Sequence, residues 1–267
     1  MDQYRYGRHG RKDQKRKVPG FRLLLAGTAI AVCLLAVFGI SNCWGIISAL
    51  AQEQEGVSPT VRVDVPLEEQ GSSSGEAPWY LRLVNPDTPL PEDFTVELTD
   101  VAGGQFDSRA ADALSRMLDH MEEQGLSPLV CSSFRTWEDQ ETLHQNEIEL
   151  WISQGLSQEE AEAEASRWVV PAGTSEHQTG LAADIVAAGN QVLEEEQENT
   201  PEQQWLMEHC WEYGFILRYP KDKTDLTGVG YEPWHYRYVG VEAAQEMKES
   251  GQCLEEYWAV HFTKNAP

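Results

Sequence analysis

Cysteine is scarce in this chain of 267 residues, and its count is odd. Of the five cysteines, two lie inside a long apolar run, which leaves Cys131, Cys210 and Cys253 in the rest of the chain. Three thiols cannot all pair, so the pattern argues against a disulfide framework and predicts buried thiols instead. A single Cys210–Cys253 bridge stays open as an alternative.

Positive charge is also scarce once the first residues are passed. Residues 1–22 carry eight of the 20 Lys and Arg but only two of the 44 Asp and Glu. From residue 23 onward, 12 basic residues therefore stand against 42 acidic ones, a formal charge of −30. A field of that sign repels phosphate groups, so nucleic acid is not expected as a partner of the main domain.

What the sequence does have is an uncharged run, residues 23–51, rich in Leu, Ile, Val and Ala. About 20 helical residues cross the hydrocarbon core of a bilayer, so this run predicts a single transmembrane helix. The basic head before it, residues 1–22, should stay cytoplasmic and place the remainder outside the cell membrane. A cleaved signal peptide, giving a secreted protein, is the alternative, because Ala49, Leu50 and Ala51 look like a cleavage site. A buried helix of a soluble protein explains the basic head less well.

Two further segments follow this run. Residues 52–78 are rich in Glu, Gln, Ser, Gly and Pro and predict a flexible linker, whereas residues 79–267 predict one domain. Helical patterns are found after Asp107 or Ser108, after Thr136, and over residues 158–165, 201–214 and 241–250. Short strands are predicted near residues 129–131, 181–186, 215–219 and 236–239. Strands scattered among helices in no regular βαβ order favour an α+β domain, with a small antiparallel sheet flanked by helices.

Three residues on separate segments have the chemistry of a metal site. His177 and Asp184 stand seven residues apart, and His235 comes from a distant segment. Two imidazoles and a carboxylate are the three protein ligands that a catalytic zinc needs beside an open fourth position. Glu232 precedes His235 by three residues, and the proline between them disfavours a helix, so a turn could bring its carboxylate over the metal. The alternative for each histidine is an ordinary solvated or core side chain.

Three motifs, in the same order along the chain, resemble those of the VanY-type D-alanyl-D-alanine carboxypeptidases, zinc metallopeptidases of the LAS type. Residues 175–184 match the pattern S-x-H-x-x-G-x-A-x-D, and residues 232–235 match E-x-W-H. Residues 132–140 are similar to the family's S-x-[YF]-R-[ST]-x-x-x-Q segment. The resemblance covers about residues 85–263, and every key position of the three motifs is filled.

The resemblance implies a role for each of these positions. It implies one Zn2+ per chain, held by His177, Asp184 and His235, with Glu232 as the general base. Arg135 would stabilise the negative charge that develops on the scissile carbonyl oxygen.

The resemblance also implies that Ser175 and Gln140 help to shape the substrate pocket. The residues alone leave other readings open: Arg135 could form a surface salt bridge, Ser175 could cap a loop, and Gln140 could be an ordinary helix side chain. Trp234 and Tyr236 flank the ligand His235, and at least one of them is expected in the core.

The implied activity is hydrolysis of the terminal D-Ala from peptidoglycan stem peptides. A membrane-tethered domain outside the cell would lie where peptidoglycan is, which agrees with the expected topology. An L,D-carboxypeptidase acting on tetrapeptide stems would share all three motifs and is the nearer alternative. A non-catalytic wall-binding module is the more distant one, although neither Glu232 nor any ligand is missing.

Overall fold

A computed structural model of the chain describes residues 77–262. The predicted cytoplasmic head, the transmembrane segment and nearly all of the predicted linker lie outside the described residues. Between residues 77 and 262, no helix combines the length and the hydropathy that a membrane span requires.

The described part contains six strands and seven α-helices, joined by loops and short 3-10 turns. The strands are β1 (Leu98–Val101), β2 (Gly104–Asp107), β3 (Pro128–Ser132), β4 (Ala182–Ala187), β5 (Phe215–Leu217) and β6 (His235–Tyr238). The helices are α1 (Ala111–Glu123), α2 (Trp137–Ser153), α3 (Gln158–Ala165), α4 (Pro201–His209), α5 (Thr224–Thr227), α6 (Val241–Ser250) and α7 (Leu254–His261).

A small antiparallel sheet organises the domain, as the sequence predicts. Strands β1 and β2 form a separate hairpin, and the other four strands form one sheet in the order β3-β4-β6-β5. Each neighbouring pair in this sheet is antiparallel. The two inner strands, β4 and β6, carry Asp184 and His235 directly opposite each other.

The main apolar core lies between α1 and the sheet. Leu114, Met117 and Met121 are fully buried on one face of α1 and belong to the same cluster as Ile185 and Phe215 of the sheet. Their spacing of three and four residues places them on that face. A second cluster joins α6 and α7 to the segment that precedes β1. Helices thus pack against the sheet through these two apolar clusters.

Helix α2 begins where the sequence predicts. The Thr136 hydroxyl accepts the Asp139 N–H at 3.1 Å, and the Asp139 carboxylate accepts the Thr136 N–H at 3.4 Å. This reciprocal capping box satisfies two amide groups at the helix start. Helices α3 and α6 also have the predicted bounds.

The predicted start of α1 is wrong. Its N-cap is Ala110, not Asp107 or Ser108. Asp107 instead ends β2, and its Oδ1 accepts the N–H of Arg109 at 2.9 Å. The side chain therefore closes a local turn before the helix rather than capping it.

Three elements lie outside the predictions, the β1–β2 hairpin, α5 and α7. The hairpin turns at Ala102 and Gly103, whose φ angles are 51° and 82°. A turn of this kind usually carries Asn-Gly or Asp-Gly, and the Ala102-Gly103 pair lacks that sequence pattern, so the hairpin was not predicted. Cys131, Cys210 and Cys253 are buried, and no disulfide joins them within residues 77–262.

Candidate metal centre

Strand register brings two of the predicted ligands together. Asp184 on β4 pairs with His235 on β6, so both side chains leave the same face of the sheet. His177 comes from a 3-10 turn, Glu176–Thr179, that leads into β4. The turn ends at Gly180 with φ of 71°, and a Cβ there would lie 3.0 Å from the backbone nitrogen of Asp107. Glycine is needed at this position to reverse the chain toward the sheet.

The three buried side chains of His177, Asp184 and His235 form what we call the metal corner. Each offers one ligand atom, and these atoms lie within 4.8 Å of one another. His177 Nε2 is 3.3 Å from Asp184 Oδ2, and His235 Nδ1 is 3.1 Å from Asp184 Oδ1. Tetrahedral zinc with bonds of about 2.0–2.1 Å separates neighbouring ligand atoms by about 3.3 Å. The spacing therefore fits a zinc ion.

The hydrogen bonds at the metal corner also fit a cation. His177 Nδ1 lies 2.6 Å from the Ser133 carbonyl oxygen, which can only accept. The proton is thus on Nδ1, and Nε2 presents its lone pair to the centre. Asp184 Oδ1 is buried and has no hydrogen-bond partner in the described residues. A buried carboxylate oxygen left in this way requires a positive charge beside it.

The protein charges at the metal corner set the protonation of its groups. Burial, together with the Arg135 guanidinium, lowers the pKa of His177 to about 4 and leaves that imidazole neutral. Although burial opposes it, contact with the two histidines holds the pKa of Asp184 below its ordinary value. His235 behaves differently, because carboxylates outweigh burial and raise its pKa to about 9. The carboxylates around His235 therefore favour a positive charge at the metal corner.

Glu232 reaches the metal corner through a turn, as its proline neighbour predicts. The His235 N–H donates to the Glu232 carbonyl at 3.2 Å, and Glu232 Oε2 lies 3.7 Å from His235 Nδ1. Burial raises the pKa of the Glu232 carboxyl to about 8. The nearby Asp184 charge adds to that rise, whereas His235 and Arg135 oppose it. A carboxylate with this raised affinity for a proton is suited to general base chemistry.

Arg135 lies beside the Asp184 carboxylate, and the ion pair between them is not on the surface. Its side chain is 11% exposed, and its Nη2 lies 3.3 Å from Asp184 Oδ2. Nη1 donates to Gln140 Oε1 at 2.8 Å, and Nε donates to Ser132 Oγ at 3.1 Å. Gln140 in turn donates from Nε2 to the Val170 carbonyl at 2.6 Å. The guanidinium is therefore oriented by its neighbours and aimed at the metal corner.

A cavity opens at the metal corner. It is lined by all the site residues that the sequence predicts, namely Arg135, Gln140, Ser175, His177, Asp184, Glu232 and His235. Ser175 is 3% exposed, so its hydroxyl belongs to the cavity wall rather than to an open loop. Trp234 also lines the cavity, whereas Tyr236 packs in the main core and donates its hydroxyl to Gln203 at 2.8 Å.

Sequence reasoning missed two buried residues beside the metal corner. The Tyr219 ring centroid lies 4.8 Å from that of His235, and Glu176 Oε2 lies 3.6 Å from His235 Nε2. Tyr219 lies in the segment after β5, where no motif position marks it. Glu176 immediately precedes His177, a predicted ligand, and this adjacency was the one available signal.

Glu176 also belongs to a second group of buried charges, which we call the arginine cluster: Glu176, Arg218, Arg237 and Glu255. Glu176 Oε1 accepts from Arg218 Nε and from Arg237 Nη1, both at 2.7 Å. Glu255 accepts from both terminal nitrogens of Arg218, at 2.5 and 2.9 Å. Arg237 also donates to three backbone carbonyls. Despite burial, the two arginines hold the pKa of Glu176 well below its ordinary value.

Comparison with known proteins agrees with this geometry. The sequence model of the family described as VanY, D-alanyl-D-alanine carboxypeptidase, matches residues 104–241. A D-alanyl-D-alanine carboxypeptidase of Enterococcus faecalis is 42% identical over 195 residues, which cover 71% of this chain and 68% of that protein.

Two solved structures are also similar to the chain. One is VanYB in complex with D-alanine-D-alanine, and the other is a mutant of the vancomycin resistance D,D-pentapeptidase VanY in complex with Zn(II). Each has a TM-score of 0.62 and 42% identity over 67% of this chain. The matches cover 97% of the first structure and 99% of the second.

Proposed function

The chain belongs to the VanY family of D-alanyl-D-alanine carboxypeptidases, and from this premise we propose that it is a zinc-dependent hydrolase of peptidoglycan stem peptides. It removes the terminal D-Ala from stems that end in D-Ala-D-Ala. The observation that carries this proposal is the metal corner itself, three buried ligands at zinc spacing with Glu232 and Arg135 beside them.

His177, Asp184 and His235 would hold the metal through Nε2, a carboxylate oxygen and Nδ1, respectively. When bound, zinc supplies a Lewis acid that lowers the pKa of a coordinated water and polarises the scissile carbonyl. Glu232 Oε2 takes the proton of the attacking water and later passes it to the leaving amine of D-Ala. Its position near His235 Nδ1 keeps both transfers within one small volume.

Arg135 donates to the scissile carbonyl oxygen as negative charge develops there. Its hydrogen bonds to Gln140 and Ser132 fix the plane of the guanidinium before substrate arrives, so little reorganisation is needed. Ser175 and Gln140, in the cavity wall, bound the space for the terminal D-Ala.

The test is hydrolysis of defined stems by the full-length chain loaded with zinc. We expect free D-Ala from a pentapeptide stem that ends in D-Ala-D-Ala. A chelator should stop the release, added zinc should restore it, and Glu232→Gln should nearly abolish it. Release from a tetrapeptide stem alone would assign an L,D-carboxypeptidase instead. If the zinc-loaded chain bound stems but released D-Ala from neither, the wall-binding module would replace the enzyme.

For localisation, we propose a single-pass anchor with the catalytic domain outside the cell. Support comes from the sequence alone, the uncharged residues 23–51 after a basic head. Protease added to intact cells should then remove the domain from the membrane fraction. Intact domain recovered in the medium would show that the segment is cleaved as a signal peptide.

A further inference from the structure

One carboxylate oxygen of Glu176 accepts hydrogen bonds from arginines, and the other faces His235, a proposed metal ligand. Oε1 accepts both arginine hydrogen bonds of the arginine cluster. Oε2 is buried and has no hydrogen-bond partner in the described residues, and it lies 3.6 Å from His235 Nε2. His235 Nε2 is likewise buried without a partner in that part of the chain. Two buried polar atoms that lack hydrogen-bond partners thus face each other, and each can partner the other.

The chemistry of these two atoms fixes where the proton lies. Glu176 is completely buried between two guanidinium groups, so it is a carboxylate and can only accept. A ring that binds a metal ion keeps only one proton, and in His235 that proton must then lie on Nε2. This leaves a lone pair on Nδ1, the nitrogen that faces Asp184 Oδ1 at 3.1 Å.

The two ligand histidines thus present different nitrogens to the centre. The Ser133 carbonyl holds the proton of His177 on Nδ1, so His177 offers Nε2. Glu176 Oε2, 3.6 Å from His235 Nε2, is placed to favour the opposite arrangement in His235, with the proton on Nε2. The motif pattern S-x-H leaves position 176 open, so the sequence pattern alone assigns it no role.

We propose that Glu176 is a positioning residue for the metal: it holds His235 in the Nε2–H form and orients its Nδ1 toward the ion. The two arginines keep the carboxylate charged and fixed in place. Through Arg218, Glu255 on α7 is joined to the same network. The inference rests on the proposed function only for the identity of the metal.

The first test compares zinc affinity in two variants of the full-length chain. Glu176→Gln keeps the size of the side chain but removes the charged acceptor, and we expect zinc to bind about 10- to 100-fold more weakly. Glu255→Gln is the matched control, because it removes a carboxylate from the same arginine cluster without contact to His235. Its zinc affinity should stay within about twofold of the parent, because Glu255 contacts none of the three proposed ligands. Competition with a chelator of known affinity measures both.

Thermal unfolding of both variants separates a positioning role from a purely structural one. A structural role would lower stability in both variants and leave zinc affinity equal. A folded Glu176→Gln chain with the parent's zinc affinity overturns the proposal. So does an equal loss of affinity in Glu255→Gln.

A second test uses the parent chain and decides the matter even if Glu176→Gln does not fold. Long-range proton–nitrogen NMR spectra of histidine-labelled protein, with and without zinc, identify the two rings whose nitrogens shift on binding. We expect one ring bound through Nε2 and one bound through Nδ1 with a proton on Nε2. Two rings bound through Nε2 would overturn the proposal. Neither test uses a peptide substrate, so a chain that binds zinc in this way but releases no D-Ala refutes only the proposed function.

Discussion

The metal corner and the arginine cluster are both buried and charged, and they meet at Glu176, which belongs to the arginine cluster and faces His235 of the metal corner. In the arginine cluster, every guanidinium faces a carboxylate or a carbonyl within 3.1 Å. In the metal corner, Asp184 Oδ1 is buried and has no hydrogen-bond partner among the described residues. The guanidinium groups of the arginine cluster are paired by protein groups alone, whereas the carboxylate of the metal corner is fully paired only with an ion. The difference shows which buried charges stabilise the fold and which await a ligand.

The strongest test of this contrast is at the metal corner. His177→Ala removes one of the three proposed ligands, so we expect no stoichiometric zinc and no measurable D-Ala release. Metal analysis of the purified chain measures the zinc content, and a D-Ala assay measures the release of D-Ala. His209→Ala, at a partly exposed histidine of α4, is the control and should keep both. Stoichiometric zinc in His177→Ala would show that the ligands are wrongly assigned.

The next effect separates zinc binding from chemistry. Glu232→Gln keeps the volume of the side chain but cannot accept a proton, so we expect kcat to fall by about 10²- to 10⁴-fold. Zinc content should be unchanged, because Glu232 is not a ligand. Steady-state kinetics and metal analysis test this together. A variant that lost its zinc would place Glu232 in the metal corner rather than beside it.

At the arginine cluster we expect a loss of stability instead. Arg237→Met leaves Glu176 with one arginine and removes the donor to three backbone carbonyls. The free energy of unfolding should fall by about 3–5 kcal/mol. Denaturant unfolding of the zinc-free chain measures it. A loss below about 1 kcal/mol, the usual worth of an exposed pair, would mean that this cluster is not what holds the fold.

The smallest effect is expected where charge is exposed. Arg116 and Asp112 form an i,i+4 pair on α1, and their side chains are 42% and 77% exposed. Arg116→Ala should change the free energy of unfolding by no more than about 0.5 kcal/mol. The same denaturant experiment provides the value, and a loss as large as that at Arg237 would erase the distinction between buried and exposed charges.

The sequence predicted the parts of the fold that depend on local chemistry. The capping box at Thr136 and the glycine after α6 set helix ends within a few residues, and α2 and α6 lie where these signals place them. The turn before His235 followed from its proline neighbour. The metal corner could be predicted because its residues lie in short motifs with fixed spacing.

The missed features depend on contacts between distant segments. Glu176, Arg218 and Arg237 are completely buried, against the usual preference of charged side chains for water. Only the folded structure shows that they neutralise one another. The hydrogen bond from Arg135 to Gln140 likewise needed the start of α2 to be placed before it could be seen.

The direct pairing of Asp184 with His235 has a consequence for how the sheet assembles. Shifting β6 by one residue against β4 would turn His235 to the opposite face, where Tyr236 now lies. Such a misaligned sheet would lack a ligand and could not hold the ion. Zinc therefore favours the native alignment by mass action, since it binds that alignment and no slipped one. The ion that we propose for the reaction would therefore also stabilise the correct register of β4 and β6.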